Sequence, residues 1–438
     1  MLLNAADKAL WRLALPMIFS NITVPLLGLV DTAVIGHLDS PVYLGGVAVG
    51  ATATSFLFML LLFLRMSTTG LTAQAWGAKD PQRLARALVQ PLALALGAGV
   101  LIILLRLPLI DLALHIVGGS EAVLEQARRF LEIRWLSAPA SLANLVLLGW
   151  LLGVQYARAP VILLVVGNLL NIVLDLWLVM GLRMNVQGAA LATVTAEYAT
   201  LIIGLMMAKR VLTLRGVSLA MLKNAWRGDM RRLLALNRDI MLRSLLLQLC
   251  FGALTVFGAR LGSDIVAVNA VLMTMLTFTA YALDGFAYAV EAHSGQAYGA
   301  RDGSQLLEVW RAACRQSGMV ALAFALVYSL AGGHIIALLT SLPSLQQLAD
   351  RYLIWQTILP VVGVWCYLLD GMFIGATRGA EMRNSMAVAA AGFAVTLLTV
   401  PALGNHGLWL ALAVFLALRG LSLALIWRRH WRRGTWFS

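Results

Sequence analysis

Acidic residues are rare in this chain, and several stand in apolar surroundings. Asp31 lies in GLVDTAVIGHL, Asp175 in NIVLDLWLVM, Glu197 in TAEYATLII, Asp284 in YALDGFAYAV and Asp370 in CYLLDGMFIG. An ionised group inside hydrocarbon costs several kcal/mol unless it is paired or hydrated, so each is a candidate for binding or carrying a cation. Asn168, Asn171 and Asp175 follow one another at spacings of three and four, which places all three on one helical face. Thr193 falls at a similar depth, with Glu197 one turn beyond it. Pro16 and Pro25 precede Asp31, Pro16 by roughly 22 Å along a helix axis. Each proline removes a backbone donor and can kink a helix. An acid on a bendable helix is what coupling protonation to movement requires. The expected coupling set is therefore Asp31, Asp175, Asn171, Asn168 and Thr193, with Pro16 and Pro25 as hinges. Glu197, Asp284, Asp370 and Arg65 are secondary candidates. Glu291 could sit in an inner interface, and Asp370 could instead pair with Arg378 or another cation. Arg65 and Arg419 could neutralise acids or reach toward the membrane surface. Met273, Met275, Phe278 and Tyr281 could line an adaptable apolar cavity.

Other chemistry finds no support. Six histidines form no metal-spaced cluster, HExxH and GxSxG are absent, and no GxxxxGK[ST] loop could cradle a nucleotide. Cys250, Cys314 and Cys366 show no CxxC spacing. No cofactor and no metal are expected. The energy source would be H+, or alternatively Na+. An intramembrane enzyme would need a nucleophile with a base, or a metal set, and neither is visible.

The elements that must position these residues are membrane helices. Of 438 residues 61% are hydrophobic and 12% charged, against roughly 25% charged in soluble domains. Apolar runs reach the ~20 residues that a spanning helix needs. Spans are predicted near 10–36, 43–68, 84–107, 133–154, 159–181, 187–208, 238–260, 265–293, 314–338, 351–376, 385–403 and 407–427. The first is read as a spanning helix and not a cleaved signal, because its apolar run is too long for one. With both termini inside, 24 of the 33 Lys and Arg fall on the inner side, seven outside and two within spans. The net charge of +13 is thus explained by membrane orientation, with no nucleic-acid partner. The polar stretch near 209–237 reads as an amphipathic linker on the membrane surface, and Ser120 to Glu132 as a similar outer segment. QAWGAKD at 74–80 matches QAYGARD at 296–302, and Gly149 and Gly153 map onto Gly371 and Gly375 at the same offset of 222 residues. Six helices return a chain to its starting side, so the halves are parallel repeats. The expected fold is an all-α integral membrane protein, with twelve transmembrane helices in two parallel-repeat six-helix lobes around a central cavity. An N-lobe spans 1–208, a linker 209–237, a C-lobe 238–427 and a basic cytoplasmic tail 428–438.

Pro16 with VDTAVIGHL, the QAWGAKD and QAYGARD loops, GVQYARAP and LLDGMFIGATRGAEMRNSM resemble MATE transporters, specifically the DinF subgroup. The resemblance covers essentially the whole chain. It implies two six-helix lobes that exchange amphipathic, mainly cationic organic compounds for H+ or Na+. It also implies that Pro16 and Asp31 are the family's first-helix proline and acid, and that Asn171, Asp175 and Thr193 form its N-lobe polar cluster. The NorM branch places acids for Na+ in the C-lobe. Asp370 could match one of these, but the seventh span has no matching acid, so H+ is the expected ion. The expected protein is a multidrug efflux antiporter of the bacterial inner membrane, a monomer with both termini cytoplasmic, whose partners are small amphipathic molecules and membrane lipids. A Na+-coupled antiporter and a lipid-linked sugar flippase of the wider superfamily stay open as alternatives.

Overall fold

The computed structural model describes residues 3–36, 38, 40–228 and 230–438, with side chains described outside 23–33. Its elements follow the apolar runs. In the first half they are α1 (Ala5–Gly36), α2 (Pro41–Leu60), α3 (Phe63–Gly77), α4 (Pro81–Leu104), α5 (Arg106–Val117), α6 (Glu121–Arg134), α7 (Ala138–Gly153), α8 (Ala159–Asp175) and α9 (Asn185–Leu214). A short α10 (Leu219–Asn224) leads to α11 (Met230–Leu261), α12 (Ser263–Ala300), α13 (Gly303–Leu339), α14 (Pro343–Gly375), α15 (Gly379–Thr396), α16 (Val400–Leu403) and α17 (Asn405–Arg433). Among the described residues, eleven stretches besides α1 are long and apolar enough to cross a bilayer. With the 32-residue α1, this is a twelve-helix integral membrane protein. Leu330, Leu338 and Leu398 are more than three-quarters exposed, which would be costly in water and is free in lipid.

Several helices run past the bounds that hydropathy suggests. Ser120 to Glu132 is not a separate surface segment: α6 continues into α7 through the 3₁₀ turn Trp135–Ser137. It buries Ala127, Phe130 and Leu131 in a core shared with α2 and α9. Gly46 and Gly50 of α2 make room for it, since a Cβ at either would lie 2.5 Å from Gln126 or Phe130.

The internal repeat holds at the level of single contacts. A Cβ on Gly149 would meet the carbonyl of Arg65 at 2.6 Å, and one on Gly371 would meet that of Ala287 at 2.7 Å. Likewise Gly153 abuts Thr72 and the Thr69 carbonyl, and Gly375 abuts Ser294 and the Glu291 carbonyl. Every pair is 222 residues apart. Asp80 caps α4 and Asp302 caps α13, each accepting from backbone N–H groups of the first turn. The residues just before these caps, Lys79 and Arg301, both take φ of 53°, and Gln155 and Thr377 are a second left-handed pair.

Contacts divide the chain into two compact units, Ile22–Leu233 and Met1–Asn21 with Leu234–Ser438. The boundary inside α1 thus falls between Pro16 and Pro25. The start of α1 is tied to the C-terminal helices by Asp7 to Arg315 (3.0 Å) and by Trp11 Nε1 to Gln316 Oε1 (2.9 Å). Asn21 Nδ2 donates to the carbonyl of Tyr281 (3.1 Å), and Gly285 lies directly against Ile18. In the Ile22–Leu233 unit the buried anchors include Trp135 and Trp150, and in the other Trp409 and Phe415. The basic tail also folds back. Arg378 donates to the carbonyls of Thr435 and Trp436, and the Trp436 ring is buried against Phe373.

Candidate functional site

Asn171 and Asp175 form the last turn of α8, and both are fully buried. Thr193 comes from α9, the neighbouring helix. Its Oγ1 lies 3.4 Å from Asn171 Oδ1 and 3.2 Å from the carbonyl of Ala189, so its one proton is shared between two acceptors. Asn171 Nδ2 is buried without an acceptor among the described residues. Asn168 is half-buried on the same helical face. Directly after Asp175 the α-helix gives way to a π turn, Leu176–Gly181. Such turns re-aim the side chains beside them and are frequent at functional sites. Gly188 of α9 lets that turn come close, for its Cβ would lie 3.0 Å from the carbonyl of Leu178. The geometry therefore brings together an amide and a hydroxyl, with a buried acid one turn along α8. Pro25 and Asp31 stand on α1, but their side chains lie outside the described residues. Pro16 lies within α1, which stays helical through it.

Glu197 is engaged differently. Arg134 Nη2 reaches it at 3.1 Å, Ser141 Oγ donates to its other oxygen, and Asn144 Nδ2 donates to its carbonyl. This ties α9 to α6 and α7. Arg65 is buried on α3 and donates to Thr69 Oγ1 at 3.3 Å.

In the C-terminal unit Asp370 of α14 is clamped by two arginines. Arg243 of α11 donates to its Oδ2 at 2.6 Å, and Arg419 of α17 donates to the same oxygen. Arg378 is occupied elsewhere, pairing with Glu381 at 3.1 Å. Asp284 is half-buried within electrostatic reach of Cys366 and Tyr367, which also feel Asp370 and Arg419. Glu291 is buried in α12. Sequence reasoning counted Arg243 only among the inner-side charges. The signal that could have found it was its place in the apolar run of the seventh span, where a lone cation needs an acid. Met275 and Phe278 do line an apolar cavity of about 460 Å³, completed from α13 by Phe324, Val327 and Tyr328. Among the described residues no group of three His, Cys, Asp or Glu could hold a metal.

Against known proteins, the MatE family model matches residues 16–177 and again 240–402, one match in each half of the repeat. The chain is 87% identical to DNA damage-inducible protein F of Escherichia coli (strain K12), over 100% of this chain and 95% of that one. It is 23% identical to the probable multidrug resistance protein NorM of Acinetobacter baylyi, with 96% and 94% covered. Among solved structures, one described as MATE in the bent conformation superposes with a TM-score of 0.84 at 23% identity, covering 98% of this chain and 96% of that one.

Proposed function

This chain belongs to the MatE family of transporters, and from that premise we propose that it exports amphipathic, mainly cationic organic compounds in exchange for protons. Asp31 and Asp175 are the coupling acids, and the cycle is one of alternating access. The observation that carries this reading is the contrast between two buried carboxylates. Asp370 is committed to two guanidinium groups, whereas Asp175 is fully buried one turn beyond Asn171, whose amide oxygen the Thr193 hydroxyl approaches, at the start of a π turn. A cation site at Asp370 would have to displace two arginines. Arg419, a cation that a pyrophosphate carrier would need free, is spent on Asp370 in the same way.

In the proposed cycle protons from outside neutralise Asp31 and Asp175. The first part of α1 packs with the C-terminal helices and the rest groups with the N-terminal ones, so bending near Pro16 or Pro25 transmits that change and releases the substrate. Proton release to the inside resets the carrier. The Lys and Arg distribution supports an orientation with both termini cytoplasmic, and the carrier is proposed to act as a monomer in the inner membrane. A drug substrate is supported by the name of the NorM relative. Oxygens of Asp175, Asn171 and Thr193 are also ligands a hard cation accepts, which makes Na+ the second reading.

The test is substrate-driven proton release. Purified protein at low buffer strength is mixed with an amphipathic organic cation, with and without Na+, while pH is recorded. Protons are expected to appear without Na+. Binding of the same cation with no proton release, or with release of Na+ in its place, would overturn the proton reading.

A further inference from the structure

A second cavity, this one polar, lies in the Ile22–Leu233 unit and is lined by none of the transport residues. It measures about 110 Å³ and is lined by Arg83, Arg86, Gln90 and Arg232, with Leu71, Pro91 and Leu233 beside them. Arg83, Arg86 and Gln90 are spaced three and four apart on α4, so one helix face presents them together. The inter-lobe linker forms the roof. Gln90 Nε2 donates to the carbonyl of Trp226 at 3.3 Å. Gly228, at φ of 142°, passes so close that a Cβ would stand 2.7 Å from Arg86 Nε.

The guanidinium groups of Arg83 and Arg86, one turn apart on α4, repel each other across one small cavity. Arg83 feels the like charges of Arg232 and Arg86, opposed by Asp80. Asp80 is already engaged in capping α4, where its Oδ1 accepts from the N–H groups of Gln82 and Arg83. Among the described residues, none that lines the cavity is acidic. Arg86 Nε is buried with no acceptor among the described residues. A tetrahedral oxyanion answers both problems, since it balances the charge and offers several acceptors to guanidinium forks. The apolar side of the cavity, and a linker that exposes Leu219 and Trp226 beside it, suit a ligand with hydrocarbon attached.

We propose that this cavity binds the phosphate of an anionic glycerophospholipid from the arginine-rich leaflet, and that the bound lipid fastens the linker to α4. Basic pockets at the ends of spanning helices hold such headgroups in general.

The experiment is native mass spectrometry of the purified full-length protein titrated with phosphatidylglycerol or phosphatidylcholine, with inorganic phosphate as competitor. One phosphatidylglycerol should be retained in preference to phosphatidylcholine. Arg83→Gln and Arg86→Gln should each weaken it about fivefold, and the pair roughly thirtyfold. Arg210→Gln, which removes an exposed charge outside the cavity, should leave retention within about twofold. Arg86→Lys keeps the charge without the fork and should fall between wild type and Arg86→Gln, which keeps the test available if the double variant does not fold. Undiminished lipid binding in the Arg86 variants would overturn the proposal. So would an equal loss in Arg210→Gln, which signals diffuse attraction, or displacement by inorganic phosphate at the lipid's own affinity, which signals a free-anion site.

Discussion

Replacing Asp370 by Asn should damage the fold far more than the coupling. The carboxylate is the shared acceptor of Arg243 and Arg419, whose side chains are only 8% and 5% exposed. Removing one partner of a buried ion pair costs about 3–5 kcal/mol, because the charge left behind has lost its compensation. Here two guanidinium groups are left behind. The amide oxygen can still accept one hydrogen bond, which holds the cost toward the lower end of that range. Arg243→Gln should be milder, at about 1.5–3 kcal/mol, since Arg419 and Asp370 remain as a matched pair. The three groups form one network, so the Asp370→Asn and Arg243→Gln double variant should be more stable than the sum of the singles implies. Thermal melting of purified protein in detergent measures all of this, and transport normalised to folded protein separates stability from coupling. If Asp370→Asn melted like wild type while its drug-driven proton release vanished, Asp370 would be a coupling acid and the reasoning here would fail.

Gly375→Ala should destabilise by about 1–3 kcal/mol, because the new Cβ would sit 2.8–2.9 Å from the Gly295 nitrogen and the Glu291 carbonyl, neither of which can step aside; an unchanged melting temperature would contradict the close α12 and α14 packing. Glu197→Gln should lower stability by about 1–3 kcal/mol through loss of the Arg134 pair, yet leave the number of protons released per substrate unchanged, as read by pH recording on the folded fraction. A topology reporter fused after Arg227 should read cytoplasmic and one after Asn405 external; the reverse would overturn the orientation taken from the Lys and Arg count.

The spans and the duplication were legible because both are written locally. Hydropathy marks a helix wherever about twenty apolar residues run together, and the loops at 74–80 and 296–302 nearly repeat one another. The capping aspartates and left-handed residues of those loops were implicit in the match. What stayed hidden depends on distant partners. Arg243 and Asp370 are 127 residues apart, and Trp11 meets Gln316 across 305, so neither contact leaves a trace in spacing. The amphipathic look of α6 fits a surface segment equally well, and only Gly46 and Gly50 of α2 reveal the room that draws it inward. The π turn after Asp175 packs closely against Gly188 of α9, which no periodicity announces. The approach of Thr193 to Asn171 was readable because a hydroxyl and an amide stand at similar depth in two successive apolar spans.

Proton release on addition of substrate, compared between wild type, Asp31→Asn and Asp175→Asn, tests the central claim most directly. A neutral amide costs less in the membrane than a carboxylate, so both variants should insert and melt near wild type. They should bind an amphipathic cation, release few or no protons on binding it, and show no net export in vesicles, while Asp370→Asn should keep its proton release per folded molecule. Wild-type release and export in the Asp31 variant, with both lost in Asp370→Asn or Asp284→Asn, would move the coupling site to the C-terminal half and contradict this account.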